Sequence, residues 1–444
     1  MSQGDAEHFS IVGGGLGGAL MACALGRAGH RVDLYEMRGD LRTVDIAGGR
    51  SINLALSTRG IYALGQVGLA EAVLEKSVPM RGRMLHAADG TLTFQRYGKD
   101  DTEAINSVSR GGLNRILLDA AERMDNVSLH FEHKCVGVDF NGRSLSFTDR
   151  NGDARPVVHG GAIVGADGAF SAVRRAMQRR DRFNYRQDYM PIGYKELTIP
   201  AGPGGSFLLE QNALHIWPRE TFMMIALPNF DGSFTCTLFW PLDGPISFAS
   251  VSTDADLTTF FQTHFKDALG LFPDLADEYR THPTSSLMTV RCGPWHAGDR
   301  AVLIGDACHA VVPFFGQGMI AAFEDVVALT DAIRRHAGDR RRAFASYYEQ
   351  RKEHCDALAD LAIANFSVMA GKTRSKLFLL GKKCEKHLHA MFPKLYVPLY
   401  SMISFSRMGY ADAVRRARLQ KMVLASLVLL VVSLVFWWVG WRLS

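Results

Sequence analysis

The chain has few cysteines, and they do not form the patterns typical of zinc sites or disulfide frameworks. Seven cysteines are scattered over 444 residues at 23, 135, 236, 292, 308, 355 and 384, with no Cys-x-x-Cys pair. An odd count at wide spacings indicates free thiols in a reducing compartment, so we expect no structural metal. Internal repeats and low-complexity tracts are absent too. The first apolar run already belongs to the glycine motif described below, so we expect no signal peptide.

The net charge of the chain is small, but positive charge is concentrated in one region. The formal net charge is only +5, yet residues 371–421 hold twelve Lys/Arg and two Asp/Glu. A basic patch can indicate nucleic-acid binding. Here an apolar run follows the basic stretch at once, which favours a membrane surface, and we expect no nucleic-acid partner.

Long apolar runs are also rare, and the clearest one lies near the C-terminus. Residues 422–439 are almost wholly apolar, and residues 440–441 extend the run. About 20 helical residues span roughly 30 Å, the thickness of a bilayer core. Tryptophans lie near one end and basic residues before the other: Trp437, Trp438 and Trp441, and Arg415, Arg416, Arg418 and Lys421. We therefore predict a transmembrane anchor over 421–441, with a buried core helix as the alternative.

The basic residues before this run also predict its orientation. By the positive-inside rule, the preceding domains should lie on the cytoplasmic side. The membrane would be the inner membrane in a bacterium and the mitochondrial outer membrane in a eukaryote.

Near the N-terminus, a strand, a glycine-rich turn, a helix and a second strand follow each other. Gly13, Gly15 and Gly18 form a Gly-x-Gly-x-x-Gly fingerprint, and Glu36 follows the second strand. The first glycine permits a tight turn, the second lets a pyrophosphate approach the backbone, and the third permits close packing of helix and strand. The helix N-terminus favours phosphates, and an acid at Glu36 can accept hydrogen bonds from a ribose. The pattern predicts a dinucleotide site.

Two later strands end in an acid, which suggests further contacts to the same ligand. Asp167 follows the apolar run 162–166, and Asp306 follows 300–305. The glycine-rich loop 313–319 precedes a helix and can hold a ring edge and a phosphate with backbone N–H groups. No second well-formed glycine fingerprint occurs in the sequence. His309 lies close by, and we interpret it as a packed or hydrogen-bonded residue, not a catalytic base.

The remaining pattern indicates an inserted β-rich region and a helical C-terminal part. We predict helices over 58–74 and 257–269, and a hairpin over 83–97 with its turn at 89–90. Short apolar segments separated by Pro and Gly indicate an antiparallel sheet, with strands over 193–199, 206–209, 214–217, 222–226 and 234–240. From 323 to about 410 the chain reads as mostly helical.

The glycine fingerprint, Asp167-Gly168 and Gly305-Asp306 together resemble the single-component FAD-dependent aromatic hydroxylases of the p-hydroxybenzoate hydroxylase fold. The resemblance implies an α/β fold: a Rossmann-type FAD-binding domain, an inserted antiparallel-sheet substrate domain and a C-terminal helical region, to which the apolar run at 422–439 adds a single transmembrane helix. It implies a FAD-binding domain over 1–180 and 290–345 with a substrate-facing hairpin near 81–98, a substrate domain over 181–289, and a helical region over 346–420 closing the pocket. It also implies non-covalent FAD, with NADPH visiting transiently as co-substrate.

Further stretches are similar to the kynurenine 3-monooxygenase family, from about residue 9 to 410. They are residues 49–57, 82–84, 97–98, 109–110, 313–319, 362–366 and 398–402. This resemblance implies hydroxylation of L-kynurenine to 3-hydroxykynurenine with NADPH and O2 through a C4a-hydroperoxyflavin, in tryptophan degradation. Because the flavin carries that chemistry, we expect no dedicated catalytic residue.

The same resemblance implies a set of site residues. The substrate carboxylate would be bound by Arg83 and Tyr97, helped by Asn365 and Tyr400, and the ring would lie between Phe239, Phe314 and Met369. FAD would contact Gly13, Gly15, Gly18, Glu36, Arg38, Ala55, Arg110, Val136, Asp167, Asp306, Gln317, Gly318, Met319 and Ile320. Ile320 departs from the family, where we expect Asn, so only a backbone contact to flavin would survive there.

Two other functions remain open from the sequence. One is a membrane-anchored hydroxylase of another aromatic acid or a quinone precursor, which the anchor and an apolar pocket would suit. The other is a flavin-binding membrane scaffold without turnover. An arginine fork beside a tyrosine hydroxyl favours a carboxylate-bearing substrate, and substrate-stimulated NADPH oxidation would separate both enzymes from a scaffold.

Overall fold

The structure is a computed structural model that describes residues 6–43, 53–98, 103–370 and 376–443. The first half of the 49–57 motif and the start of the basic stretch, including Lys372, lie outside these ranges. Within them the chain forms strands β1 (His8–Val12), β2 (Arg31–Tyr35), β3 (Asn53–Leu56), β4 (Val78–Met80), β5 (Gly82–His86), β6 (Leu92–Arg96), β7 (Ile105–Ser109), β8 (Val127–His130), β9 (Lys134–Asp139), β10 (Ser144–Thr148), β11 (Val158–His159), β12 (Ala162–Gly165), β13 (Asn184–Ile199), β14 (Ala213–Arg219), β15 (Phe222–Pro228), β16 (Phe234–Pro241), β17 (Ser285–Gly293) and β18 (Ala301–Leu303).

The helices of the described ranges cluster at the start and, more densely, in the last third of the chain. They are α1 (Leu16–Arg27), α2 (Thr58–Gln66), α3 (Ala70–Leu74), α4 (Arg110–Glu122), α5 (Ala172–Met177), α6 (Asp254–His264), α7 (Lys266–Leu269), α8 (Leu275–Thr281), α9 (Asp306–His309), α10 (Gly318–Arg335), α11 (Arg340–Ala370), α12 (Lys376–Met391), α13 (Leu399–Ser404) and α14 (Tyr410–Leu443).

A five-stranded parallel sheet forms the first layer. Its order is β18-β12-β1-β2-β8, and every neighbouring pair is parallel. β12 and β18 are fully buried apolar runs, as expected of a parallel sheet covered on both faces, whereas the edge strand β8 is only partly buried. Two small antiparallel sheets, β11-β10-β9 and β3-β7-β4, accompany it.

A seven-stranded sheet forms the second layer, in the order β17-β13-β16-β15-β14-β5-β6. Its neighbours are antiparallel except β14 and β5, which are parallel. The predicted hairpin over 83–97 is therefore part of this sheet, because β5 pairs with both β6 and β14. One face carries an aromatic core against α6 and α7. The other face carries Phe239, which packs with Phe314 of the 313–319 loop in a separate apolar cluster.

The structure differs from three of the predicted elements. The helix over 58–74 is broken into α2 and α3, because Gly68 adopts a φ of +74° that a helix does not allow. The helix over 257–269 is broken at Phe265, which caps α6 with a φ of −136°. The strand over 206–209 does not form: a turn closes this segment onto itself, with Gly202 N–H donating to the Ser206 carbonyl at 2.8 Å.

The last helix, α14, has two parts with different surroundings. One face of its first two turns packs against α11 and α13, with Tyr410 and Ala413 inaccessible to solvent. Beyond them the apolar side chains are exposed, including Met422 at 66% and Phe436 at 74%. Among the described residues, Tyr410–Trp438 is the helix long and apolar enough to cross a membrane, with mean hydropathy 2.3 in its most apolar window. None of that window is buried in the fold, which argues against a core helix.

Candidate active site

The glycine turn between β1 and α1 packs tightly on two sides and is open on the third. A Cβ on Gly13 would lie 2.4 Å from the Ala166 carbonyl oxygen, and Gly13 itself has a φ of +107°. A Cβ on Gly18 would lie 1.9 Å from the Gly13 oxygen. A Cβ on Gly15 would meet nothing within 4 Å. The first and third glycines are therefore required by packing, and the second leaves room for a ligand at the start of α1.

Two of the strand-end carboxylates are fixed by backbone N–H groups. The Glu36 side chain accepts hydrogen bonds from Gly14 N at 2.8 Å and Arg38 N at 3.0 Å. Asp167 accepts from Ala172 N at 2.6 Å through Oδ2, while its Oδ1 is buried with no hydrogen-bond partner in the described structure. Burial raises the pKa of Asp167. A buried, unpaired oxygen beside an open glycine turn fits a ligand that carries hydroxyl donors.

The parallel sheet brings the predicted FAD residues to one edge. β18, β12, β1 and β2 are neighbours, and each is followed at its carboxyl end by a predicted residue or turn: Asp306, Asp167, the Gly13 turn and Glu36. The Asp306 side chain is exposed at the start of α9. Ligands of open parallel sheets bind outside the carboxyl ends of the strands, so these residues surround one candidate site.

The glycine-rich loop before α10 closes this site from the side of β3. Gly316 has a φ of +65°, and a Cβ there would lie 3.3 Å from the Ala55 side chain. Gln317 is buried, whereas Gly318 and Met319, in the first turn of α10, are half-buried. The loop backbone and β3 therefore lie against each other, as the predicted flavin contacts at Ala55 and 317–319 require.

Four other predicted cofactor residues lie in different surroundings. Arg38, Arg110 and Val136 have exposed side chains, and Val136 is on β9 of a small sheet. Ile320 is fully buried, and its Cδ1 lies against Gly60 of α2. Its side chain thus belongs to the core, which leaves the backbone for any flavin contact.

Asn114 was not among the predicted residues, and its buried amide donates to the Gly14 carbonyl at 3.0 Å. This bond ties α4 to the glycine turn and so helps to fix the turn. A polar residue at a buried position of an amphipathic helix was the only available signal.

A buried ionic cluster supports the Gly305–Asp306 turn from beneath. Asp325 is inaccessible to solvent and accepts from Gly305 N at 2.9 Å, from Arg351 Nε at 2.8 Å and from the His309 ring. Burial alone would lower the pKa of His309, but the Asp325 carboxylate outweighs it and raises that pKa well above its ordinary value. Cys308, His309 and Asp325 lie close enough to surround an ion. The Arg351 pairing and a protonated imidazole make an ion pair the better description of the cluster.

The same network continues to the first turn of α14. Arg351 and Arg59 both contact Glu324, at 3.1 and 2.7 Å. The Arg59 guanidinium lies over the Tyr410 ring, 4.4 Å from its centroid, and the Tyr410 hydroxyl donates to Gln317 Oε1 at 3.2 Å. The glycine-rich loop is therefore held by the first residue of the apolar C-terminal helix.

Arg83, on β5 of the seven-stranded sheet, lies beside two tyrosine rings that stack on each other. Its guanidinium carbon is 5.3 Å from the Tyr97 ring centroid and 4.7 Å from that of Tyr400, and the two rings stack 5.5 Å apart. The Arg83 Nε atom is buried without a hydrogen-bond partner in the described structure. Burial raises the pKa of the Tyr97 hydroxyl, so it remains a donor. The three groups form a cationic, donor-rich site of the kind that binds a carboxylate.

An aromatic wall adjoins this cation. Phe314 packs against Phe239 and Phe366 at centroid distances of 5.0 and 4.7 Å. Met369 is buried in the same cluster. The Asn365 amide donates to the Phe314 carbonyl at 2.6 Å, so it holds the loop that carries this phenyl ring. Leu214 and Ile225 pack against both this cluster and the one that contains Tyr97 and Tyr400, so all seven predicted substrate residues lie in two adjoining clusters.

The chain is similar to known proteins over nearly its whole length. The model of the FAD binding domain family matches residues 7–362. The chain is 47% identical over 428 residues to the kynurenine 3-monooxygenase of Myxococcus xanthus (strain DK1622), covering 96% of this chain and 92% of the relative. The chain belongs to the kynurenine 3-monooxygenase family. The family member from Dictyostelium discoideum is 43% identical over 434 residues, with 95% and 93% covered.

Solved structures confirm the predicted fold for this member of the kynurenine 3-monooxygenase family. The tetrameric form of 2-methyl-3-hydroxypyridine-5-carboxylic acid oxygenase matches with a TM-score of 0.68 at 21% identity, covering 85% of this chain and 96% of that one. The PqsL protein of P. aeruginosa, in complex with 2-aminobenzoylacetate, matches with a TM-score of 0.66 at 22% identity, covering 83% and 98%. At these identities the likeness establishes the fold alone.

As a member of the kynurenine 3-monooxygenase family, the protein is an FAD-dependent monooxygenase. We expect one non-covalent FAD per chain, because the open space at Gly15 and the unpaired Asp167 oxygen suit reversible contacts. The purified protein should be yellow, and acid precipitation should release all flavin to the supernatant. Flavin that stays with the precipitate, or well-folded protein without flavin, would contradict this expectation.

Proposed function

We propose that this protein hydroxylates L-kynurenine at ring position 3, giving 3-hydroxykynurenine, with NADPH and O2 as co-substrates. The reaction belongs to tryptophan degradation. The observation that carries the proposal is the cation of Arg83, flanked by the rings of Tyr97 and Tyr400 beside an apolar wall. A carboxylate-bearing amino acid with an aromatic ring presents complementary groups at both ends.

In this proposal Arg83 binds the substrate carboxylate. The guanidinium fork matches the two carboxylate oxygens, and the Tyr97 and Tyr400 hydroxyls add donors. Although burial opposes the charge, the two tyrosines keep the pKa of Arg83 above its ordinary value. Arg83 therefore stays protonated, and its buried Nε–H would gain a partner when substrate binds.

The ring of the substrate would lie against Phe239, Phe314 and Met369. These side chains are 2%, 4% and 5% exposed, so they exclude water from the ring and fix its plane. Asn365 would act through Phe314, whose carbonyl it holds. Bound FAD would supply the redox chemistry, by taking a hydride from NADPH and activating O2. The glycine turn, Glu36, Asp167 and Asp306 would hold it, and the domain division given above assigns these residues to the FAD-binding domain.

The test is NADPH consumption by the FAD-loaded protein with a panel of aromatic acids, with the products identified by mass. We expect kynurenine to stimulate oxidation most and to gain one oxygen atom. A stronger response to another aromatic acid or to a quinone precursor would favour the second hydroxylase. NADPH oxidation unaffected by every aromatic compound would favour the scaffold.

We further propose that α14 anchors the protein in a membrane, with the catalytic domain on the cytoplasmic side. The exposed apolar surface of the helix and the basic residues at 415–421 support this. Full-length protein should remain in the membrane pellet at high salt, whereas a variant without residues 422–444 should move to the supernatant and keep its FAD. Residues 410–421 must be retained, because Tyr410 contacts Gln317. Full-length protein that is soluble without detergent would exclude the anchor.

A further inference from the structure

A second apolar surface lies outside α14, at the last residue of α12 and in the turn that follows it. Residues 391–395, called here the 391–395 turn, include Met391, Phe392 and Leu395, which are 64%, 50% and 76% exposed. Large apolar side chains are exposed singly on many proteins, but three in five residues form a patch. The proposed hydroxylation does not use this patch.

The exposure of these side chains is fixed by the turn's own hydrogen bonds. Tyr396 N–H donates to the Phe392 carbonyl at 2.9 Å, and Leu395 N–H donates to the same oxygen at 3.1 Å. The buried His389 ring donates from Nδ1 to the Tyr396 carbonyl at 2.6 Å. The backbone groups are satisfied locally, so the turn presents its apolar side chains outward as a defined surface.

Side chains of α14 hold the turn at a defined height along that helix. Gln420 accepts from Val397 N at 3.0 Å and donates to Val397 O at 2.9 Å. Arg416 donates to the Lys394 carbonyl at 3.1 Å. The neighbouring residues of α14 on either side of Gln420 begin its exposed apolar surface, with Leu419 at 61% and Met422 at 66%. The patch on the turn is therefore continuous with the end of the proposed span.

The surroundings of the patch carry positive charge. Lys394, Arg418 and Lys421 are exposed around the turn and the adjoining part of α14. Apolar side chains bordered by cations suit the boundary between acyl chains and anionic headgroups. A second protein would also cover an apolar patch, but continuity with α14 and the basic border favour a lipid surface.

We propose that the 391–395 turn inserts Phe392 and Leu395 into the headgroup region of an anionic bilayer, as a second membrane contact beside α14. The proposal rests on the membrane anchor of the proposed function. With the span and the turn both in the bilayer, the segment between them is held at both ends. That segment includes α13, which carries Tyr400 of the carboxylate site.

The test uses the full-length, FAD-loaded protein in vesicles of phosphatidylcholine with phosphatidylglycerol. Cys384 and Cys135, the thiols that are not buried, are replaced by serine, and flavin content confirms folding. Single cysteines are then introduced by Leu395→Cys, by Val431→Cys in the span, and by Val157→Cys. Val157 is a matched control, because it is 53% exposed and apolar but lies before β11. Each cysteine carries a nitroxide, and its collision rates with O2 and with a water-soluble nickel chelate are measured.

We expect labels at 395 and 431 to collide more with O2 than with the chelate, and the label at 157 to show the reverse order. A label at 395 that behaves like the one at 157, while 431 is in lipid, overturns the second contact and leaves the anchor intact. A label at 431 accessible to the chelate overturns the anchor and with it this proposal. A label at 395 shielded from both reagents indicates a protein partner and also overturns it.

Discussion

Arg83→Ala is expected to weaken kynurenine binding by about 10- to 150-fold while FAD stays bound. The range follows from the roughly 1.5–3 kcal/mol of a hydrogen bond to a charged group. Removing the side chain also removes the cation beside Tyr97 and Tyr400. The measurement is the dissociation constant of kynurenine for the holoenzyme, from the change in flavin absorbance on titration, with flavin content determined in parallel.

Two further variants make this result specific. Arg83→Lys should recover only part of the affinity, because an ammonium lacks the planar fork. Arg81→Ala is the matched control: Arg81 is an exposed arginine of the same hairpin, bonded to Asn212 through its backbone, and its loss should leave the affinity unchanged. Unaltered affinity in Arg83→Ala would remove the carboxylate assignment, and equal losses in both alanine variants would indicate general damage to the hairpin.

Among the substitutions predicted here, Asp325→Ala is expected to lower the free energy of unfolding most. The change leaves the Arg351 and His309 cations without their shared carboxylate and deprives Gly305 N–H of its acceptor. Removing one partner of a buried ion pair costs about 3–5 kcal/mol. We therefore expect a lower unfolding temperature and faster loss of FAD, since Asp306 follows Gly305 directly. Both are measured by following flavin fluorescence on heating.

Asp331→Ala is the control on the same helix. Asp331 pairs with Arg334 at the surface, where both side chains are at least 44% exposed. Such a pair contributes about 0–1 kcal/mol to the free energy of unfolding. A comparable loss of stability in both variants would show that the Asp325 cluster has no special role.

The cluster also predicts the pH dependence of stability. The pKa of His309 is raised in the fold. Its contribution to the stability of the fold is therefore complete below the ordinary histidine pKa and is lost as pH rises through the folded pKa. Burial works to raise the pKa of Asp325, but His309 and Arg351 outweigh it and lower that pKa. The contribution of Asp325 to stability is therefore present above the ordinary aspartate pKa and is lost as pH falls through its folded pKa. The difference in unfolding temperature between wild type and Asp325→Ala should be greatest between these limits.

Much of the fold and part of the site were predictable because their signals are local. The glycine fingerprint, the strand-end acids and the hairpin turn each depend on residues close together in sequence, and the structure places them at one sheet edge or in one hairpin. The interpretation of His309 as a hydrogen-bonded residue is also confirmed, by its bond to Asp325.

The long-range ionic contacts were not predictable in the same way. Arg59 meets Glu324 across 265 positions, and Tyr410 meets Gln317 across 93. Such pairs depend on which helix faces meet, which one sequence does not specify. Charged residues in the mostly apolar stretch of α10, Glu324 and Asp325, were the available signal. The breaks at Gly68 and Phe265 were missed because apolar periodicity continues across both.

The uninterrupted course of α14 has a consequence for how the enzyme meets its substrates. One helix of 34 residues begins at the partner of Gln317 and ends beyond the span, a rise of about 50 Å. With the span in a bilayer, the rigid helix α14 would hold the site at one height and one tilt above the lipid. The proposed substrate, kynurenine, would then reach the site in one orientation, from the layer of water next to the membrane. A flexible linker between the fold and the span would let the catalytic domain rotate freely. The rate at which it meets its substrate would then change, although every site residue would be in place.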